Sequence, residues 1–312
     1  MHILFFGANG FLGSHVARAL IDAGHELTAL ARNEESAAGI RRIGARPVEG
    51  RVEDAALMAR LAREHDGVVF AARVDFARES ELLDPMLRAL RDSGKPFVMT
   101  SGTSCLSIDT PQGEWNQQSF AEDDPFDSQL WTRVRMESER LVRASAGTGV
   151  RGMVVRPPMI WGNGGGNGQV PWIFQAVPKA GAACYLGHGL NLYTNVHVED
   201  LARVYALALE KGTAGALYHA VAGEVCWRTI AEAVAAVMGC DARSIDHDEM
   251  CDLWGRLDAP YRFAVSSRSR AIATVRDLGW APRHLDLVDD IVNGSYRERF
   301  ARAGKEREGH VA

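Results

Sequence analysis

Short apolar runs alternate along the chain with longer stretches in which apolar residues recur every three or four positions. "HILFFG" (2–7) leads into Leu12, Val16 and Leu20 at i, i+4 and i+8. "ELTAL" (26–30), a polar helix from about Glu34 to Ile43, "RPVEG" (46–50) and a helix from about Asp54 to Arg63 follow. Next come "GVVFAA" (67–72), a helix from about Glu79 to Ser93, and "PFVMTS" (96–101). A polar loop then gives way to a helix near 129–146 and the strand "RGMVVR" (151–156). The short runs have the length of buried strands, and the 3.6-residue pattern marks the helices between them. Repeated strand–helix–strand units predict a doubly wound α/β fold, a parallel sheet with helices on both faces.

From Pro157 onward the texture changes. "WGNGGGNGQVP" (161–171) is a glycine-rich loop, "NVHVEDLARVYALALEKG" (195–212) reads as a strand entering a helix, and "TIAEAVAAVMG" (229–239) as another helix. "DLGWAPRHLDLVDDIVNG" (277–294) reads as a turn and a late helix. The organisation expected is a dinucleotide-binding domain over 1–160 and a smaller, strand-poor substrate-binding lobe over 161–300. Residues 195–205 are expected to return to the main sheet, and the polar stretch 301–312 to form a flexible tail.

Composition narrows the function classes. The 312 residues are 46% hydrophobic and 24% charged, which is ordinary for a soluble globular protein. A net charge of −5 gives no electrostatic case for nucleic acid or anionic membrane. No apolar run approaches the ~18 residues of a membrane span. "MHILFFGANGFLG" lacks the basic start of a signal peptide. Five scattered cysteines without a CxxC pair argue against zinc or a disulfide framework and fit a reducing cytoplasm. The acidic run "DHDEM" (246–250) reads as the charged start of a helix, and no metal site is expected.

The chemistry begins at "GANGFLG". Gly7, Gly10 and Gly13 follow a buried strand and open a helix. Small residues there let the backbone turn tightly against a pyrophosphate, and the helix start offers free N–H groups and a positive dipole end. Gly7, Asn9, Gly10, Phe11, Leu12 and Gly13 are therefore candidate cofactor contacts. An NAD site usually ends its second strand in an acid that binds the ribose 2′-hydroxyl. Here Ala31 holds that place and Arg32 follows, which suits a 2′-phosphate: NADP is expected, with NAD as the alternative.

These motifs resemble the extended short-chain dehydrogenase/reductases, the NAD-dependent epimerase/dehydratase family. The resemblance rests on "GANGFLG" (7–13), "GVVFAA" (67–72), "FVMTSGTS" (97–104), "VVRPPMIWG" (154–162), "NVHVEDLAR" (195–203) and "DLGWAP" (277–282), and spans nearly the whole chain. It implies a Rossmann-type doubly wound parallel sheet. It also implies that Ala71, Ala72, Arg73 and Thr100 lie along the cofactor, and that Arg156, Pro157, Pro158 and Met159 mark the strand end beside the nicotinamide. The acid the family keeps after the third strand is replaced by Arg51, leaving the Val52 backbone to meet adenine.

In that family a tyrosine and, four residues on, a lysine stand on the helix read here as "SQLWTRVRMESERLV" (128–142). Glu139 matches an acid that follows the lysine by four. This sets Arg135 at the lysine position and Trp131 at the tyrosine position. Indole donates a hydrogen bond but does not titrate usefully, and arginine carries charge without releasing a proton. Arg135 is therefore expected to hold the cofactor ribose and Trp131 to shape the pocket, with Glu139 as an alternative helical ion-pair partner for Arg135. Gly102 falls at the usual serine position, so the orienting hydroxyl passes to Thr103 or Ser101. The proton comes from another group. Tyr193 is the candidate retained from a segment that also holds Tyr185, His188 and Asn195, and Asp75 is a further one. A branch of the family shares "TSGT" and an arginine-bearing helix, and "ALEKGTAGALYHAVAGE" (208–224) matches it too.

The expected function is an NAD(P)-dependent oxidoreductase of the short-chain dehydrogenase/reductase type. Its substrate would be a small, apolar or aromatic carbonyl or alcohol, its proton donor something other than tyrosine, and a homodimer fits the expectation. The alternatives are a lyase, isomerase or epimerase on the same fold, and a redox-silent NADP(H)-binding sensor.

Overall fold

The computed structural model describes residues 1–127 and 130–308; the side chains of Leu130, Trp131 and 302–308 fall outside the described residues. The first half alternates as the sequence pattern predicts. β1 (His2–Phe6) leads to α1 (Phe11–Asp22), β2 (Glu26–Ala31), α2 (Glu34–Arg42), β3 (Arg46–Glu49), α3 (Ala55–Glu64), β4 (Gly67–Phe70), α4 (Phe76–Ala89) and β5 (Pro96–Thr100). A short β6 (Ile108–Asp109), α5 (Leu130–Ala144) and β7 (Arg151–Arg156) complete this half. α4 starts three residues earlier than the apolar period suggests because Asp75 caps it, accepting from Ala77 N–H at 3.0 Å.

The second half comprises β8 (Met159–Trp161), α6 (Gln169–Ala180), β9 (Ala183–Leu186), β10 (Leu192–His197), α7 (Val198–Lys211), β11 (Leu217–His219) and β12 (Gly223–Cys226). α8 (Trp227–Met238), β13 (Ala242–Ile245), α9 (His247–Trp254), α10 (Pro260–Phe263), β14 (Val265–Ser266), α11 (Ile272–Leu278), α12 (Leu287–Val292) and α13 (Ser295–Glu308) follow.

Seven strands form one parallel sheet in the order β11-β7-β5-β4-β1-β2-β3. β1 shows why both of its faces are apolar. Ile3 and Phe5 enter a core with Val16, Ala17 and Leu20 of α1 and Leu201 and Tyr205 of α7. Leu4 and Phe6 face a second core with Met58 of α3 and Leu83 of α4. The chain leaves β1 toward β2 and returns on its other side at β4. The crevice beyond the carboxyl ends of β1 and β4 is thus the switch point at which such folds bind ligands.

Three small sheets, β12-β10-β8, β13-β9 and β14-β6, lie outside the main one. Two expectations change here. The segment 195–205 does not rejoin the main sheet as a strand: β10 pairs with β8 and β12, and β11 supplies the edge beside β7. What returns is α7, whose apolar stripe packs on α1 and the sheet. The polar stretch from Ala301 continues α13 through Glu308, and 309–312 fall outside the described residues. A third core, with Phe174, Trp227, Met250, Phe263 and Tyr296, supports the second half. "DHDEM" starts α9, with Asp246 as its cap.

Candidate active site at the carboxyl edge of the sheet

At the tip of β1, Gly7 has φ of 96°, and a Cβ there would lie 2.5 Å from the Ala71 carbonyl oxygen. Only glycine lets the β1 and β4 loops approach this closely. A side chain at Gly13 would collide with the Gly7 carbonyl, so Gly13 seats α1 against the turn. Gly10 differs: a Cβ there would meet only Gly7 O, at a tight 3.3 Å that the turn relieves by yielding a few tenths of an ångström. No side chain caps α1, and its leading N–H groups are left for an external acceptor. Asn9 turns away and donates to Ser36 O and Oγ at 2.8 and 2.9 Å, tying the turn to α2. Its role is to fix the loop.

Ala31 is buried at the end of β2, and Arg32 beside it is exposed. Arg32 has no ion-pair partner among the described residues, and a guanidinium in that state is available to an anion. Val52 is half-buried against the same core as Ala72, while Arg51 is exposed beside Glu53. Ala71 and Ala72 are half-buried and Arg73 exposed after β4. Pro157, Pro158 and Met159 are buried beyond β7, and the Pro157 carbonyl accepts from Thr103 N–H at 3.0 Å. That bond joins the tips of β5 and β7.

The hydroxyls after β5 are not equivalent. Thr100 Oγ1 and Tyr205 Oη lie 2.7 Å apart, and burial pushes the Tyr205 hydroxyl pKa up. Ser101 Oγ donates to Glu139 Oε1. Thr103 is 1% exposed and lies against Ser267, which donates to its carbonyl at 2.9 Å. Ser104 is half-buried, and its hydroxyl makes no hydrogen bond to a described residue. A Cβ at Gly102 would sit 3.5 Å from Ser104 Oγ, so this hydroxyl, unpaired among the described residues, stands beside the position glycine leaves vacant.

Glu139 does not pair with Arg135. It is buried and accepts from Arg156 Nε at 2.8 Å and Nη2 at 2.5 Å, a bidentate pair between α5 and β7. The same carboxylate holds Ser101, which removes that hydroxyl from the set free to meet a substrate. Arg135 instead donates from Nη2 to the Thr100 carbonyl at 2.7 Å, stacks over Phe76 at 4.2 Å and stands 3.8 Å from Glu79. Glu79 is 1% exposed, and burial raises its pKa against the opposing pull of Arg135. The sequence reading passed over Glu79, yet a signal was present: Glu79, Leu82, Leu83 and Met86 fall at i, i+3, i+4 and i+7, which puts a carboxylate on the buried face of α4. Trp131 lies on α5 with its side chain outside the described residues.

Tyr193 reaches the edge of this group, with Ser267 and Ser107 beside its hydroxyl. It lies in the core of the second half, edge-on to Trp227 at 5.8 Å, and burial raises its pKa. Asn195 accepts from Trp161 Nε1 at 2.9 Å, His188 is exposed, and Asp75 is a helix cap. Among the described residues, His197, Glu199 and His284 bring donor atoms within 4.8 Å of one another. The two imidazoles are stacked at 4.0 Å and 24°, and lone pairs of stacked rings run side by side instead of converging on an ion. Nδ1 of His197 accepts from Glu199 N–H, which places its proton on Nε2 and leaves that ring without a lone pair for an ion, while Nδ1 of His284 faces Asp200.

The profile of the NAD dependent epimerase/dehydratase family matches residues 3–222. The chain belongs to that family. An uncharacterised protein of Schizosaccharomyces pombe is 32% identical over 306 residues, covering 95% of this chain and all of its own. A dTDP-4-dehydro-6-deoxy-D-allose reductase from a Streptomyces species is 30% identical over 266 residues, covering 76% of this chain and 81% of its own. Among solved structures, a dTDP-glucose 4,6-dehydratase from Streptomyces venezuelae with NAD bound superposes with a TM-score of 0.74 at 22% identity, over 97% of this chain and 98% of that one. A protein named as a reductase and a structure named as a dehydratase are thus both similar to this chain.

Proposed function

We propose that this family member is an NADP-dependent oxidoreductase acting on a small carbonyl or alcohol. One observation carries the reading: the uncapped glycine turn, the Ala71–Ala72 segment, the Ser104 hydroxyl and the fixed Arg135 guanidinium belong to elements that meet at the same sheet edge. The turn fits a dinucleotide because Gly10 leaves room over unpaired N–H groups. When bound, that cofactor supplies hydride transfer.

The chain's own residues do the rest. The α1 start binds the pyrophosphate, and Arg32 meets the 2′-phosphate. Arg135, held by the Thr100 carbonyl and Phe76, keeps a guanidinium pointed at the ribose. Glu79 balances its charge and stops it from swinging away. Ser104 Oγ–H donates to the substrate oxygen, taking the place that Ser101 gives up to Glu139. With no titrating residue assigned beside that oxygen, the proton reaches it from solvent through the Ser104 hydroxyl. The reductase among the relatives supports a net reduction over a closed internal redox cycle.

Steady-state oxidation of NADPH and NADH across a panel of aldehydes, ketones and quinones tests the reading. Turnover with at least one carbonyl, faster with NADPH, is expected. A nicotinamide cofactor that co-purifies and turns over with none of them would sink it.

A further inference from the structure

The run "WGNGGGNG" (161–168) is costly to order. Gly162, Asn163, Gly164, Gly165 and Gly166 all have positive φ. A glycine-rich segment loses more conformational entropy on ordering than any other, so it keeps one shape only where neighbours impose it. The neighbour here is α13. Arg299 Nη1 donates to the carbonyls of Gly164 and Gly166, the second at 2.6 Å. Gly164 N–H donates to Ser295 Oγ at 2.9 Å, and Tyr296 fills the space a side chain at 165 would need. Phe300 stacks on Phe174 at 4.3 Å and anchors α13 to the core beneath.

The other side of the loop bears on the phosphate turn. A Cβ at Gly166 would lie 2.6 Å from Phe11 Cγ, and Phe11 is the first residue of α1. His15 Nδ1–H donates to the Phe11 carbonyl at 2.8 Å, leaving Nε2 to accept from Asn163 Nδ2 at 2.9 Å. Asn163 also donates to Glu199 at 3.0 Å, which ties the loop to α7. Contacts therefore run from α13 through the glycine loop to the first turn of α1.

We propose that Arg299 is a positioning residue for the dinucleotide: it braces the 162–168 loop against Phe11, so that the loop forms the outer wall of the pyrophosphate turn. The inference rests on the cofactor reading above. Arg299 acts through two carbonyls and not by touching the cofactor. A wall fixed before binding lowers the ordering cost of the complex, and such an effect is read mainly in the release rate. The brace bears on α1 and not on the end of β2, so it serves NADPH and NADH alike. This separates it from Arg32.

The test uses the full chain with NADPH and NADH as probes, affinity by nicotinamide fluorescence and release by stopped flow. Arg299→Ala should release both cofactors roughly tenfold faster, with association little changed. Arg299→Lys, whose ammonium can still bridge two carbonyls, should recover most of the loss. A folded Arg299→Ala protein with unchanged release overturns the brace and leaves the cofactor reading standing. An unmodified protein that binds neither cofactor overturns both. If Arg299→Ala does not fold, Ser295→Ala removes the hydroxyl that accepts from Gly164 N–H and donates to Asp290, and leaves Arg299 in place; it should also speed release, and unchanged release in it would equally end the proposal.

Discussion

Arg32 follows buried Ala31, which stands where an acid is expected at the end of β2, and the proposed preference for NADPH rests on this pair. Arg32→Ala should weaken NADPH binding by roughly 1–3 kcal/mol, the value of one charge-assisted contact, and leave NADH nearly unchanged. Calorimetry with both cofactors checks it, and equal losses for the two would contradict the assignment. Ser104 is the second residue-scale case. Ser104→Ala should lower kcat/KM on the order of a hundredfold, as loss of a donor to a developing oxyanion does. Gly102 has extended backbone and ordinary space at Cβ, so a serine can be placed there without strain. Gly102→Ser in the Ser104→Ala protein should restore much of the rate, and failure of that relocated hydroxyl to help would point away from this corner of the site.

α1 and α5 carry the element-scale predictions. Gly10→Val sets a branched side chain over the uncapped N–H groups and meets only Gly7 O, at 3.3 Å; a shift of a few tenths of an ångström relieves that contact, so the fold should survive and cofactor binding disappear. Gly13→Val is the contrasting case: it drives a side chain into the Gly7 carbonyl and should unfold the protein. Unchanged cofactor affinity in Gly10→Val would make the loop only a turn. On α5, two arginine–carboxylate pairs divide the labour. Arg156–Glu139 fastens the helix to β7, and Arg135–Glu79 fastens it to α4. Arg135→Ala should raise the cofactor dissociation constant about tenfold and lower turnover, while Trp131→Phe should keep most activity because the indole does not titrate. The reverse pattern in cofactor titrations and rates would invert the roles given to the two positions.

For the molecule as a whole, a buried network joins the main sheet to the second half. Arg156 Nη1 and His219 Nε2 lie 3.5 Å apart, and His219 Nδ1 meets the Arg270 carbonyl at 3.1 Å. Glu122 accepts from the N–H groups of His219, Ile272, Ala273 and Thr274 and so pins α11 beside β11. Burial, helped by Arg156, lowers the His219 pKa from 6.5 to about 4. Neutral in the fold, His219 takes up a proton on unfolding once the pH is below 6.5. Its stabilisation is therefore complete above 6.5 and lost as pH falls toward 4, by up to about 3 kcal/mol. Glu79, raised by burial, contributes with the opposite sign: its share is present at low pH and lost as pH rises through its folded value. Urea unfolding from pH 7 to 4 should show stability falling, with a shallower fall in His219→Asn. Parallel slopes in the two proteins would remove His219 from the account.

The alternation of strand and helix, the two-faced burial of the central strands and the glycine turn were legible in the sequence because each follows from local spacing. β1 buries both faces, so it reads as an unbroken apolar run, and α1 repeats its apolar residues every fourth position. The lack of a tyrosine followed four residues on by a lysine was legible too, as was Ala31, followed by Arg32, where an acid is expected at the end of β2. What only the tertiary structure decided was the pairing of polar groups across distance. Glu139 sits one helical turn from Arg135, and local geometry favours that pair. Burial against β7 gives the carboxylate to Arg156 instead, because a buried guanidinium without a partner costs more than an exposed helical pair returns. The same pairing withdraws Ser101, while Ser104 makes no side-chain hydrogen bond among the described residues. β10 joins a small sheet because β11 already completes the edge beside β7, and the glycine loop takes its shape from α13, more than a hundred residues later. Periodicity records which face of an element is buried; it does not record what lies on the other side of the contact.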